Sequence, residues 1–375
     1  MKLLKRLSEE QRRRNQRRLR RRQKNAARRK ERRDHYRKYG YKPAKHKVRI
    51  IRTQAPIRLD LEAEDTVTRR QTIDFLRRLQ TIPNIHKKHA LFVDLANCEF
   101  VGLSAALVLT AELEIAQMRN PGMVTGRDPI DPEAASVFDI VQFHRHLKYV
   151  TIPEDQMAKP SENLVVKLQS GGLQDSPGTR LPEAAAAISE VLRNCPDIDD
   201  VEANMDRIHQ ALNEGLLNVL QHAYPDEGSR SLRHALDPKE KRWWAIGIVD
   251  MVENKLTLFV YDRGVGISST LRPNLRERLA GYVGKDRDMR AIKAAIDYGR
   301  TSRSEGDGGK GLPQMLDLIS HFPGSFIIVE SGHGLYVVDN SSGENEVSVG
   351  TSEDPLPGTL LYWELRLDGR EDGGD

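Results

Sequence analysis

Apolar residues recur at helical spacing through Met205, Ile208, Leu212, Leu216, Val219 and Leu220. That period predicts a long helix from Asp199 to about Tyr224, with Asp199 or Asp200 able to cap it. A shorter helix, Pro182 to Arg193, precedes it. Trp243–Val252 and Lys255–Tyr261 are β-rich and joined at Glu253-Asn254, the pattern of a hairpin. A polar, helical insert spans Ser268–Asp297, and a helix runs from Gly311 to about His321. Strands are expected at Ser325–Glu330, Leu335–Asp339 and Gly358–Leu365.

The first half of the chain alternates differently. Pro56–Leu61 and Ala90–Leu95 read as strands, Met123–Thr125 as a short one. Thr66–Leu79, Gly102–Met118 and Asp131–Leu147 read as helices, the last with Asp131-Pro132-Glu133 as cap, first-turn proline and acidic first turn. Strand–helix alternation predicts an α/β unit with a mostly parallel sheet. Gly, Pro and Ser then cluster over 153–182, which reads as a linker with a strand possible at Asn163–Leu168. The expected organisation is an arm (1–47), an α/β domain (48–152), a linker (153–182), a second domain (183–367) and a polar tail (368–375).

Charge changes this picture at one end only. Residues 1–47 hold 22 Lys and Arg against 4 acids, a net of +18, while the other residues hold 37 against 50, a net of −13. An arm this polar cannot bury enough apolar surface to fold alone. Three uses fit it: neutralising the phosphates of a nucleic acid, docking on the acidic body or a protein partner, or remaining a solvated tail. Cys98 and Cys195 form no CxxC or Cys/His cluster, so a disulfide framework or structural zinc site is not expected. No apolar run approaches the ~18 residues of a membrane span, and Lys2, Lys5 and Arg6 interrupt the start. A cytoplasmic protein without membrane attachment is expected.

Candidate chemistry gathers in the second domain. Glu214, Asn218 and His222 are four apart, which stacks them on one helix face. An Asn oxygen suits Mg²⁺, and a Glu one turn away can orient or deprotonate a water or hydroxyl. Asp262 ends a strand and is followed by Gly264 and Gly266. A carboxylate there can accept from a purine amino group, and the glycines avoid side-chain clash with a flat base. Gly306–Gly311 opens a helix and can approach phosphates through its backbone. It is not a Walker A loop, because Gly311 follows Lys310 where Ser or Thr would stand.

In order, these are Glu-x-x-x-Asn-x-x-x-His on a helix, Asp-x-Gly-x-Gly after a strand, Gly-x-Gly-Leu before a helix, and Gly-Thr opening a late strand. The set resembles the GHKL ATP-binding fold of gyrase, chaperone, histidine-kinase and MutL type, over about Leu181–Leu367. The resemblance implies an α/β sandwich, with a mixed sheet and helices on one face, that binds ATP and Mg²⁺. By position, Glu214 would be the base or water-orienting residue and Asn218 the Mg²⁺ ligand. Asp262 would bind the adenine amino group, with Gly264 and Gly266 shaping its pocket. Gly309, Lys310, Gly311 and Leu312 would belong to the phosphate lid, and Thr359 would support the adenine site.

The box Glu214–Tyr224 looks most like that of the anti-sigma-factor serine kinases. Upstream, Val93–Leu107 resembles the STAS fold of anti-anti-sigma factors, with Ser104 at the position of their phosphorylated serine. Gly102, Leu103 and Ala105 depart from that pattern. The expected output is an ATPase or Ser/Thr protein kinase acting on or through STAS-type domains, partnered by sigma-regulatory proteins. A homodimer is compatible with it. The alternatives are an ATP-gated switch that binds nucleic acid or protein with little turnover, and a nucleotide-binding scaffold without chemistry.

Overall fold

In the computed structural model of the chain, the described residues are 49–85, 89–141, 143, 164–172, 201–224, 238–250, 252–271, 275, 278–301 and 311–367. The basic arm, the helix expected at Pro182–Arg193, the loop 302–310 and the polar tail lie outside them. Among the described residues no helix is long and apolar enough to cross a membrane.

The first unit is α/β with a parallel sheet. Strands β1 (Arg49–Gln54), β3 (His89–Asp94) and β5 (Val124–Arg127) pair in the order β1-β3-β5, all parallel. A two-residue strand β2 (Arg58–Leu59) pairs in parallel with β4 (Phe100–Val101). Helix α1 spans Thr66–Ile85, α2 Leu103–Arg119 and α3 Pro132–Ile140. The cap of α3 forms as its sequence requires: Asp131 Oδ1 accepts from the Glu133 and Ala134 amides at 3.0 and 2.9 Å.

Helix α2 is apolar on every side, and Ser104 through Ala116 are all buried. A helix of that kind needs protein around its whole circumference. It obtains it by lying between the first sheet and a second one. Ser104 is fully buried in its first turn, where it packs as a small residue; Gly102 stands at the cap. A kinase could not reach the Ser104 hydroxyl in this conformation.

The second sheet has five strands: β6 (Leu164–Gly172), β7 (Arg242–Asp250), β8 (Lys255–Asp262), β9 (Phe326–Asp339) and β10 (Glu346–Arg366). Their order is β6-β7-β8-β10-β9, and every pairing is antiparallel. This differs from the expected mixed sheet. Hairpins join β7 to β8 and β9 to β10, and β10 returns between β8 and β9, so no parallel crossover arises. Strand β6 lies in the stretch read as a linker and extends the strand expected at Asn163–Leu168 to Gly172. Gly171 is there because a Cβ would collide with the Trp243 ring; by composition alone 169–172 looks like a loop.

Strand β8, Lys-Leu-Thr-Leu-Phe-Val-Tyr-Asp, is buried at seven of its eight positions. Leu256, Leu258 and Val260 face one core, together with Trp243, Leu361, Trp363 and Leu365. Phe259 and Tyr261 face another, together with Trp244, Ile246, Ile248 and Leu360. Such a strand needs a layer on each side. The first layer is α4 (Val201–Asn218), α6 (Gly284–Thr301) and α7 (Gly311–Asp317), which contribute Leu212, Leu216, Ile292, Ile296 and Met315. The second layer is the first unit itself, whose Leu107, Leu109 and Leu113 share one core with the sheet.

Ion pairs lock this second contact. Arg119 grips Glu240 through two bonds of 2.6 and 2.7 Å. Arg69 of α1 pairs with Glu330 of β9, and Arg70 with Asp354 at 3.2 Å. Trp244 Nε1 donates to Glu114 of α2 at 2.7 Å. Replacing Trp244 with Phe keeps an aromatic side chain but shrinks it, and removes that donor beside a buried acid. It should cost about 1–3 kcal/mol and should lower the urea midpoint of one transition shared by both units. Unchanged stability, or two separate transitions, would contradict the shared core.

Candidate functional site

The long apolar face of α4 seats the helix on the sheet. Gly215 brings the two together: a Cβ there would lie 3.3 Å from Leu361 and 3.4 Å from the Met315 sulfur. Glu214 and Asn218 ride on this helix half-buried. After Asn218 the helix widens into a π turn, Val219–Ala223. Such turns occur often at functional sites. His222, inside this turn, is exposed, whereas Glu214 and Asn218 are half-buried. The Asn218 Nδ2 is buried and has no acceptor among the described residues.

The turn after β8 lies directly on this π turn. Val265 donates its amide to the Ala223 carbonyl at 2.9 Å. Gly264 is required by the close approach, since a Cβ would collide with the Ala223 carbonyl oxygen and methyl group. Tyr224 fixes the same corner. Its hydroxyl donates to the Arg242 carbonyl at 2.6 Å and accepts from the Arg263 amide at 3.0 Å. Gly266 comes next, with α5 (Ile267–Thr270) directly after it.

Asp262 stands at the centre, 5% exposed. Its Oδ1 accepts from the Gly264 amide at 2.6 Å, and Thr359 of β10, its register partner, hydrogen-bonds the same carboxyl. Gly358 has φ +88°, and any side chain there would run into the Asp262 backbone. Ser331 completes the group. Its hydroxyl accepts from the Ile267 amide at 2.9 Å, reaches the Gly358 carbonyl at 3.2 Å and lies 3.2 Å from Thr359 Oγ1. Ser331 is absent from the sequence expectation, which ends one strand at Glu330 and starts the next at Leu335, whereas β9 runs through it.

The other buried acids nearby all have cations: Glu112 has Arg263, Glu114 has Arg242 and Glu330 has Arg69. Asp262 has none among the described residues. Burial therefore dominates and lifts its carboxyl to about 7, against hydrogen bonds from Gly264 and Thr359 that pull it down. The site thus offers a desolvated acceptor, hydroxyls beside it, and a half-buried amide and carboxylate on the neighbouring helix. Such an arrangement suits a polar ligand with a donor group.

The structure brings together Asp262, Gly264, Gly266 and Thr359; Asn218 precedes the π turn on which the Gly264 turn rests, with Glu214 one helical turn before it. Gly311 and Leu312 open α7, and Leu312 packs against the core beside α4. Gly309 and Lys310 lie outside the described residues. The expected insert is partly a packed wall: Ile292 and Ile296 are fully buried, and Asp288 accepts from the His333 amide at 2.9 Å. Cys98 is buried and its thiol is pushed up to about 11 by desolvation, which keeps it un-ionised. No protein-family model, curated protein or solved structure matches the chain.

Because folding raises the Asp262 pKa, the folded chain binds this proton more tightly than the unfolded one. The resulting stability is complete below about pH 4 and is lost as the pH rises through about 7. Asp262→Asn does not titrate. Its stability relative to wild type should therefore climb by a few kcal/mol over that interval and level off above it. Urea unfolding at a series of pH values reads this; a difference independent of pH would contradict a buried, titrating Asp262.

Proposed function

We propose that the chain binds Mg²⁺-ATP in this site as a GHKL-type domain, and that a STAS-like first unit accompanies it. The observation that carries the reading is Asp262: a buried carboxyl without a cationic partner among the described residues, framed by Thr359, Ser331 and Gly264. An exocyclic amino group would supply the donor it lacks. Gly264 and Gly358 let the two turns around Asp262 close tightly, against Ala223 and against the Asp262 backbone.

Asn218 fits the cation end. Its Oδ1 is a hard oxygen ligand, and its buried Nδ2 would find an acceptor in a phosphate oxygen. Among the described residues no cluster of three or more His, Cys, Asp or Glu could hold a metal alone. That suits Mg²⁺, which commonly takes one or two protein ligands and completes its shell with phosphates and water. Mg²⁺ would neutralise phosphate charge. Glu214, one turn away, would orient or deprotonate the attacking water or hydroxyl. Gly311 and Leu312 would begin the phosphate lid, preceded by Gly309 and Lys310.

The output would be ATP hydrolysis or phosphoryl transfer to Ser or Thr, acting on or through STAS-type domains. A second reading has ATP acting as a switch with little turnover. It is favoured by the first unit's buried attachment to the back of the pocket sheet, and the basic arm could then carry a nucleic-acid or protein contact.

Calorimetric titration should show wild type binding Mg²⁺-ATP and Asp262→Ala binding at least 10-fold more weakly. Asn218→Ala should lose most of the Mg²⁺ dependence. Glu214→Ala should keep affinity and lose phosphate release by about 10²-fold or more. Binding with no turnover in wild type would favour the switch. Absence of nucleotide binding to wild type would sink both readings.

A further inference from the structure

The face of the sheet opposite the candidate site holds a buried acid that touches both neighbours of Asp262 and, through Tyr261, reaches the second turn of the site. Glu112 lies on α2 of the first unit and its side chain is fully buried. Its Oε1 accepts from Gln80 Nε2 of α1 at 2.8 Å and lies 3.3 Å from Arg263 Nε. The Tyr261 hydroxyl sits 3.4 Å from the same oxygen and 2.9 Å from the Pro357 carbonyl.

These contacts matter because of where the residues fall. Tyr261 and Arg263 flank Asp262 in the chain, and neighbours on a strand point to opposite faces. Asp262 therefore faces the pocket while Tyr261 and Arg263 face the first unit. Pro357 precedes Gly358 and Thr359, the second rim turn. Glu112 thus holds the Asp262–Gly266 turn directly through Arg263, and the Gly358–Thr359 turn indirectly, through the Tyr261 hydroxyl on the Pro357 carbonyl.

We propose that Glu112 is a positioning residue for the pocket: the first unit sets the geometry of the two turns that frame Asp262. As a consequence for ATP, this rests on the nucleotide reading above; as a statement about the turns, it does not. A neutral Gln at 112 would leave the Arg263 guanidinium buried without its counter-charge, and the turn bearing the Arg263, Val265 and Ile267 amides would loosen. Glu114 gives the comparison. It is also a buried acid of α2 bonded to the sheet, through Trp244 and Arg242 on β7, and among the described residues its side chain bonds to neither turn.

The test measures amide hydrogen exchange without nucleotide, and then Mg²⁺-ATP affinity, on full-length Glu112→Gln and Glu114→Gln. Glu112→Gln should speed exchange at Arg263, Val265 and Ile267 by about 10-fold and weaken Mg²⁺-ATP by a similar factor. Glu114→Gln should leave both near wild type. The double variant Glu112→Gln/Arg263→Gln removes the stranded charge and should recover most of the protection, which also guards against misfolding of the single variant. Equal effects from Glu112→Gln and Glu114→Gln would reduce Glu112 to a docking contact and overturn the proposal. So would unchanged exchange in Glu112→Gln. Faster exchange in Glu112→Gln, with no nucleotide bound even by wild type, would uphold the positioning role and remove the ATP reading alone.

Discussion

Strand β8 must be covered on both faces, and much of the architecture results from that. Its run of apolar residues divides by alternation into two sets, and each set builds a core with a different half of the chain. One set meets α4, α6 and α7; the other meets α2, a helix that itself needs burial all round. Each half leaves a face that the other covers. The same alternation continues past the last apolar residue, so Asp262 faces the α4 side of the sheet and Arg263 enters the interface on the other.

Electrostatics then separates the buried acids by role. Glu112, Glu114 and Glu330 each face an arginine across the junction of the two halves. Removing one partner from such a pair is costly, because the other is left charged and dry. These pairs fix the docking geometry as much as they stabilise it. Asp262 lacks such a partner among the described residues, and its carboxyl accordingly rises to about 7. A ligand with a suitable donor would replace the partner that the protein withholds.

The site was legible in the sequence where its parts lie close together along the chain. Asp262, Gly264 and Gly266 sit within five residues, and Glu214 and Asn218 within one helical turn. Ser331 was hidden because Ser331–Gly334 interrupts an apolar run and reads as a break between strands, whereas β9 runs unbroken from Phe326 to Asp339. Strand β6 was legible over Asn163–Leu168, but its glycines hid the last four residues, and β1 was obscured by arginines at both ends of Ile50-Ile51. The partnership of the two halves left one trace: Glu112 and Glu114 inside a helix otherwise apolar on every side. Which cations would meet them depends on contacts more than 100 residues away in the chain, and local periodicity carries no record of that.

If one face of this sheet is a nucleotide pocket, amide hydrogen exchange of the full-length chain with and without Mg²⁺-ATP tests it most directly. Protection should appear at Arg263–Ile267, Ser331 and Gly358–Thr359 and along the Asn218–Ala223 turn. Exchange at those amides that is identical with and without saturating Mg²⁺-ATP would contradict it.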